Sequence, residues 1–338
     1  MFYLYHFIDT ITFGQFNNKQ KNKQNVLLLG DGFFARGFLR TIDYNKYSIT
    51  QIYRDEFINP QDLFYSLQRS EKFQIGTQIH LRNKINSFFN KNNITKIKQD
   101  INTLQISKNN AIINDKFYNF DYMVIGLGAQ KSLKNWTNEL NLLIKEENKQ
   151  IDIIGTGPMG FEIAMMMNKK NKINMYDVLT EDKIFSYLNK YNKKYLLELL
   201  DKKNIKLHLG GFYNSTEMNK DNYKIFCVGT QPNELTNKMK INDKLQVNIN
   251  SINYNNIYVG GDCIHSAYIK TAQVAYQQGV YVARRLNGQI DDTKSFEYKS
   301  NGMALNIDDK QILIEGHNII PDGIYPDFIT HMYSIFCI

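Results

Sequence analysis

Two short glycine-rich stretches carry most of the chemistry in this chain of 338 residues. The first, Val26 to Gly37, reads VLLLGDGFFARG; the second, Ile151 to Glu162, reads IDIIGTGPMGFE. In each, an apolar run ends in a G-x-G turn and helix-forming residues follow. That order puts free N–H groups and the positive end of a helix dipole beside the turn, where a phosphate binds. In the first loop Gly30 permits the turn and Gly32 lets the backbone approach a pyrophosphate. Ala35 takes the third position, where a small residue allows close packing of helix on strand. The second loop keeps three glycines, Gly155, Gly157 and Gly160, and Asp177 closes the next apolar run. An acid there accepts hydrogen bonds from a ribose 2′-OH and repels a 2′-phosphate, which favours NAD(H) over NADP(H). The matching place in the first unit holds Tyr53, followed by Arg54, Asp55 and Glu56. Asp55 or Glu56 is the candidate acid for that ribose.

These loops need strands before them and helices after them. Residues 26–30, then Phe33 to Ile42, then SITQIY at 48–53 read as one strand–helix–strand unit. IDIIG, residues 158–169 and KINMYD at 172–177 read as a second. Residues 57–92 read as mainly helical or mixed. The stretch 110–128 reads as strand, turn, strand, and its final DYMVIGLGA run is apolar enough for a strand buried on both faces. Residues 130–150 are polar and suit a linker. An amphipathic helix is expected over 184–203, with Tyr187, Tyr191, Tyr195, Leu196 and Leu199 on one stripe. IKLHLG, YKIFCVG and NIYVGGD (256–262) read as further strands. TAQVAYQQGVYVARRLNG reads as a helix ended by Gly288, and Asn301-Gly302 signals a hairpin. Strands alternating with helices predict an α/β fold with a mostly parallel sheet in each main domain.

Bulk properties exclude several classes. Net charge is +8 with a pI near 9.0, but no block of five basic residues occurs. A generally basic solvated surface accounts for this, and no specific nucleic acid is expected. The three cysteines, Cys227, Cys263 and Cys337, form no C-x-x-C pair, so neither a disulfide framework nor a thioredoxin-type dithiol is expected. No run of 18 apolar residues is present, so no membrane-spanning helix is expected. The apolar start, MFYLYHFIDTITFGQF, lacks a basic n-region and a cleavage site and reads as a tail. No metal-ligating cluster is expected.

A third signal joins the two loops. IYVGGDC (257–263) ends a buried strand in Gly260-Gly261-Asp262, which can set a carboxylate and backbone amides beside a second cofactor's phosphates. Together with FDYMVIGLGAQ, CVGTQPN, AQVAYQQG and F-x-Y-x-x-x-G, taken in this order, the chain resembles the two-dinucleotide-binding flavoproteins. Within them it resembles the type II NADH dehydrogenases, the NADH:quinone oxidoreductases. The resemblance spans roughly residues 25 to 315. It implies two Rossmann-like domains, the NAD domain inserted into a split FAD domain, with a short C-terminal β-hairpin region. The expected division is an N-terminal tail at 1–24, FAD-binding parts at 25–145 and 239–290, an NADH-binding domain at 146–238, and a C-terminal region at 291–338.

The resemblance also assigns residues. FAD would be held by Gly30, Gly32, Ala35, Arg54, Gly128, Gly261 and Asp262. NADH would be held by Gly155, Gly157, Gly160, Asp177, Gly229 and Pro232. Glu162 would lie beside the nicotinamide, and Gln273, Gln277 and Gln278 would face the flavin and the quinone. The implied activity is hydride transfer from NADH to FAD, then electron transfer to an acceptor, most readily a quinone. A soluble flavin reductase with another acceptor and a poorly active nucleotide-binding scaffold are the alternatives. Family members carry C-terminal amphipathic helices, whereas this sequence ends in PDFITHMYSIFCI, which supports weak peripheral membrane contact at most. Homodimerisation stays open. The location is cytoplasmic or peripheral to a respiratory membrane, the mitochondrial inner membrane in a eukaryote.

Overall fold

The computed structural model describes residues 23–54, 94–129, 147–186, 188–211, 221–229, 231–249, 251–265, 268 and 270–299, with short strands at 304–306, 311–314 and 320–321. The 57–92 segment, most of the 130–150 linker, the Asn301-Gly302 turn and both chain ends lie outside the described residues. So do Asp55 and Glu56.

The described elements run in this order: β1 (Gln24–Leu29), α1 (Phe33–Thr41), β2 (Tyr47–Tyr53), β3 (Thr95–Lys98), β4 (Leu104–Ile106), β5 (Asn110–Ile113), β6 (Lys116–Asn119) and β7 (Tyr122–Ile125). Then come β8 (Gln150–Ile154), α2 (Pro158–Met167), β9 (Lys172–Asp177), α3 (Lys190–Lys202), β10 (Lys206–Leu209) and β11 (Tyr223–Phe226). Last are β12 (Lys240–Ile241), β13 (Gln246–Ile249), β14 (Ile252–Val259), a 3₁₀ turn (Gly261–Cys263), α4 (Ala272–Leu286), β15 (Ala304–Asn306), β16 (Gln311–Ile314) and β17 (Ile320–Pro321).

Two parallel sheets organise the chain. One has seven strands in the order β12-β13-β14-β7-β1-β2-β3, parallel from β14 to β3. The other is wholly parallel, in the order β10-β9-β8-β11. All strands of the second lie in sequence between β7 and β12 of the first, so one unit is inserted in the other. β1 and β7 show why they sit centrally: Leu27, Leu28, Leu29, Met123, Val124 and Ile125 are all buried, as continuous apolar runs require when both faces are covered.

Helices α1 and α4 cross on one face of the seven-stranded sheet at backbone contact. A Cβ on Gly37 would lie 2.2 Å from the Tyr276 carbonyl oxygen, and one on Gly279 would lie 2.0 Å from the Phe34 carbonyl oxygen. No larger residue fits either place. α4 starts as expected, with the Thr271 hydroxyl accepting the Val274 N–H at 3.2 Å.

Two segments differ from the sequence reading. The 110–128 stretch is a hairpin plus a separate strand: β4, β5 and β6 form their own antiparallel sheet, and only β7 joins the parallel one. Asn114 and Asp115 both take positive φ and close a tight two-residue turn between β5 and β6, so the stretch holds three strands where two were expected. The 184–203 segment is helical only over Lys190–Lys202, because Asn189 Oδ1 accepts the Asn192 N–H at 2.8 Å and starts the helix there. Its buried stripe is Asn192, Leu196, Leu199 and Leu200, while Tyr191 is 67% exposed and Tyr187 lies outside the described residues. At the C-terminal end β15 pairs antiparallel with β16, and β16 with β17, while the Asn301-Gly302 signal lies outside the described residues.

Candidate functional site

Because the strands are parallel, their carboxyl ends collect the loops. β1, β7 and β14 align Leu29 with Ile125 and Ile125 with Val259, so Gly30, Gly126 and Gly260 stand side by side. β8 and β11 align Ile154 with Phe226, so Gly155 and Cys227 do the same. Gly30 and Gly155 both take positive φ, and a Cβ on either would lie 2.1 Å or 2.3 Å from the carbonyl oxygen of Gly126 or Cys227. Glycine is required at both places by conformation and by space.

Both helices then begin without a side-chain cap. Gly32 and Gly157 are the extended N-cap residues of α1 and α2, and a Cβ on either would meet nothing within 4 Å among the described residues. First-turn N–H groups therefore face an open cradle, the donor set that suits a pyrophosphate. Pro158 takes the first helical position of α2, where its missing N–H costs nothing. Gly160 has no room for a side chain, since its Cβ would lie 2.1 Å from the Gly155 oxygen. Ala35, the matching residue of the first unit, is fully buried with its methyl in place.

Strand register places Tyr53 and Asp177 in equivalent positions. Leu29 pairs with Ile52 and Ile154 with Tyr176, and each loop's first glycine donates its N–H to that strand, at 2.8 Å to Ile52 O and 2.7 Å to Tyr176 O. Tyr53 and Asp177 are the next residues along. Asp177 Oδ2 accepts from the Thr156 N–H at 2.8 Å and the Thr156 hydroxyl at 2.7 Å, and its Oδ1 accepts from the Leu179 N–H at 3.0 Å. It is half-buried beside the open cradle of Gly157, which leaves lone pairs for ribose hydroxyls. Tyr53 instead lies under the Lys96 ammonium, 4.4 Å from its ring centre. Arg54 is exposed and 4.0 Å from Asp100.

The first loop carries a buried polar network. Asp31 Oδ2 accepts from Arg36 Nη2 at 3.1 Å, and its Oδ1 accepts from Gln51 Nε2 at 3.1 Å. Gln51 Nε2 also donates to the Gly30 carbonyl at 2.8 Å. Gln51 is fully buried, and among the described residues its Oε1 has no partner, a cost its two donated bonds must offset.

Next to this loop, Phe34 fills the space between three strand ends. A Cβ on Gly126 would lie 2.6 Å from its Cδ1, and one on Gly260 would lie 2.4 Å from its Cε2. The Gly260-Gly261-Asp262 turn is fixed from α4, where Gln278 Oε1 accepts the Gly261 N–H at 2.7 Å. Burial pushes the Asp262 carboxyl above its ordinary range, opposed by the nearby Lys270 ammonium. Lys270, itself pushed down by burial, donates to the Asp262 carbonyl at 3.1 Å.

The remaining expected residues fall as follows. Gly128 and Gly229 follow β7 and β11 at matching places, and a Cβ on either would meet nothing within 4 Å among the described residues. Pro232 is buried and bridges antiparallel to Ala129, which ties the two units together beside these glycines. Glu162 is half-buried on α2. Gln273 and Gln277 point to one segment: Gln273 Oε1 accepts from the Tyr298 hydroxyl at 3.0 Å, and the Gln277 amide pairs with both the N–H and the carbonyl of Lys299. Gln278 lies on another side of the helix, fully buried. Burial pushes the Cys227 thiol up to about 12 and the Cys263 thiol up to about 11, so neither forms a thiolate at neutral pH.

Sequence reading missed Asp31, Arg36, Gln51, Phe34 and Thr156. An acid inside G-x-G and a glutamine inside the apolar SITQIY run were the available signals.

Comparison with known proteins agrees with this fold. No curated protein sequence matches the chain. Among solved structures, the fold is similar to NDH2 from Plasmodium falciparum in complex with NADH, with a TM-score of 0.66 at 16% identity over 93% of this chain and 94% of that one. It is also similar to a water-forming NADH oxidase from Lactobacillus brevis bound to NADH, with a TM-score of 0.62 at 15% identity over 84% and 73%. A ferredoxin reductase from Rhodopseudomonas palustris gives a TM-score of 0.62 at 16% identity over 86% and 82%. Residues 20–279 match the model of the pyridine nucleotide-disulphide oxidoreductases. The chain belongs to that family of NAD(P)H-dependent flavin oxidoreductases, whose cofactors are FAD and a pyridine nucleotide.

Proposed function

We propose that the chain takes a hydride from NADH onto FAD and passes the electrons to a quinone. One observation carries the choice of NADH: Asp177 stands at the strand end beside the open Gly157 cradle, held as an acceptor by Thr156. A carboxylate in that place accepts from ribose hydroxyls and repels a 2′-phosphate. Gly155, Gly157, Gly160 and the start of α2 receive the NADH phosphates, with Gly229 and Pro232 along its path. Glu162, on the same helix, orients the nicotinamide. Gly30, Gly32, Ala35 and Gly128 receive the FAD pyrophosphate, and Gly261 and Asp262 approach its other side. Arg54 borders the adenosine.

When bound, the flavin supplies the two-electron chemistry, and the protein supplies alignment and exclusion of water. Gln278 is a positioning residue, because it sets the Gly261 N–H. Gln273 and Gln277 position the Tyr298–Lys299 segment next to α4. The quinone assignment rests on the resemblance to type II NADH dehydrogenases and on the fold likeness to NDH2 over nearly the whole of both chains.

Tyr53, in place of an acid, favours a second reading, a nucleotide-binding scaffold with poor turnover. The visible spectrum separates the two. The holoprotein is recorded anaerobically before and after NADH is added. Bleaching of the flavin bands supports the enzyme, and bands that do not bleach leave the scaffold. Failure to bind FAD on reconstitution overturns both. Bleached protein is then offered a short-chain quinone, oxygen or ferricyanide, and faster reoxidation by either of the last two overturns the quinone assignment.

A further inference from the structure

We infer that Asp31 has taken over, from the loop side, the ribose-binding role that Asp177 performs from the strand side. The first unit thus keeps a carboxylate for the FAD adenosine despite Tyr53. This rests on FAD occupying the first loop.

In the second unit, the loop residue after the first glycine meets the strand-end residue directly, as the Thr156 bonds to Asp177 show. Asp31 is the equivalent of Thr156, and Tyr53 is the equivalent of Asp177. The loop position that meets the strand end in the second unit therefore carries a carboxylate in the first, where the strand end itself carries Tyr53.

The surrounding exchanges fit. Gln51 stands where the second unit has Met175, and Arg36 stands where it has Phe161. Met175 and Phe161 are fully buried apolar residues in their core; Gln51 and Arg36 are buried polar ones. Both aim their donors at Asp31. A carboxylate moved onto the loop needs these donors to be tolerated there. Arg36 also cancels its charge beside the cradle for the pyrophosphate. Arg36 and Gln51 take two of about four acceptor sites, and the side chain is 5% exposed, so only the narrow edge beside the Gly32 cradle is left for ribose hydroxyls.

Binding of flavins to the full-length apoprotein, followed by quenching of flavin fluorescence, tests this. Asp31→Asn is expected to weaken FAD binding about tenfold, the scale of one lost hydrogen bond to a charged group. FMN, which lacks the adenosine, is expected to bind as before. Adding Tyr53→Glu to Asp31→Asn is expected to recover most of the FAD affinity. Equal loss for FAD and FMN, or no recovery from Tyr53→Glu, overturns the inference and leaves Asp31 as a partner of Arg36 alone. If Asp31→Asn does not fold, the wild type still decides. ADP is expected to displace FAD about tenfold better than 2′,3′-dideoxy-ADP. Equal displacement overturns the inference. A wild type that binds no FAD is a different result, because it removes the flavoenzyme reading itself.

Discussion

The two phosphate loops share one backbone plan and differ in where polarity is placed. Both have a glycine against the neighbouring strand's carbonyl, an uncapped helix start and an open N-cap glycine. In the second unit the polar pair is Thr156 and Asp177, and the core behind it is apolar, with Met175 and Phe161. In the first unit the strand end is Tyr53, and polarity has moved inward to Asp31, Arg36 and Gln51. The difference teaches that the phosphate cradle is a property of backbone, whereas recognition of the adjoining ribose is a property of a few exchangeable side chains.

Mutations can break this comparison, beginning with the largest effect. Asp31→Ala strands the buried Arg36 guanidinium without its carboxylate and is expected to cost about 3–5 kcal/mol in urea unfolding. A cost below about 1 kcal/mol would mean the pair contributes little in the folded protein. Gly160→Ala pushes a methyl to within 2.1 Å of the Gly155 oxygen. It is expected to cost about 2–3 kcal/mol, whereas the reverse change at the matching place, Ala35→Gly, costs only about 1 kcal/mol. Similar values for both would show that the two helices approach their strands equally closely. Thr156→Val removes one hydrogen bond to a carboxylate, and about 1.5 kcal/mol is expected by the same measurement.

The smallest effect is one of pH. Burial raises the Asp262 carboxyl in the folded protein, so this group favours folding at acid pH, and that contribution is lost as pH rises through its folded pKa. Asp262→Asn is therefore expected to raise Tm slightly at pH 7, with the gain fading in acid. A Tm that falls at pH 7 would mean that attraction to Lys270 outweighs burial.

Much of this arrangement was legible in the sequence. The strand–glycine–helix order marked both loops, because a parallel strand buried on both faces is a continuous apolar run and its loop glycines are forced by close backbone approach. KINMYD coincides with β9 residue for residue. The departures have local causes. Residues 110–128 hold three strands where two were expected, because Asn114-Asp115 closes a tight turn of its own, and Asn189 starts α3 later than its tyrosines suggest. The Asp31 network was only hinted at, for another reason. An acid inside G-x-G and a glutamine inside SITQIY are the signals, and they gain a meaning only when the register places Gln51 and Arg36 under the loop. The same holds for Gln278: its neighbour Gln277 sits at the helix surface, and only the packed structure shows that Gln278 fixes the Gly261 turn.

The central claim is that the second loop delivers NADH, read by Asp177, to a flavin held at the first. The most direct test is anaerobic reduction of the FAD-loaded protein by NADH and by NADPH, in the wild type and in Asp177→Ala. The account predicts that NADH reduces the wild-type flavin at least about tenfold faster than NADPH at equal, subsaturating concentration, and that Asp177→Ala largely removes this preference. Equal rates with both nucleotides in the wild type, or a preference that survives Asp177→Ala, would contradict it.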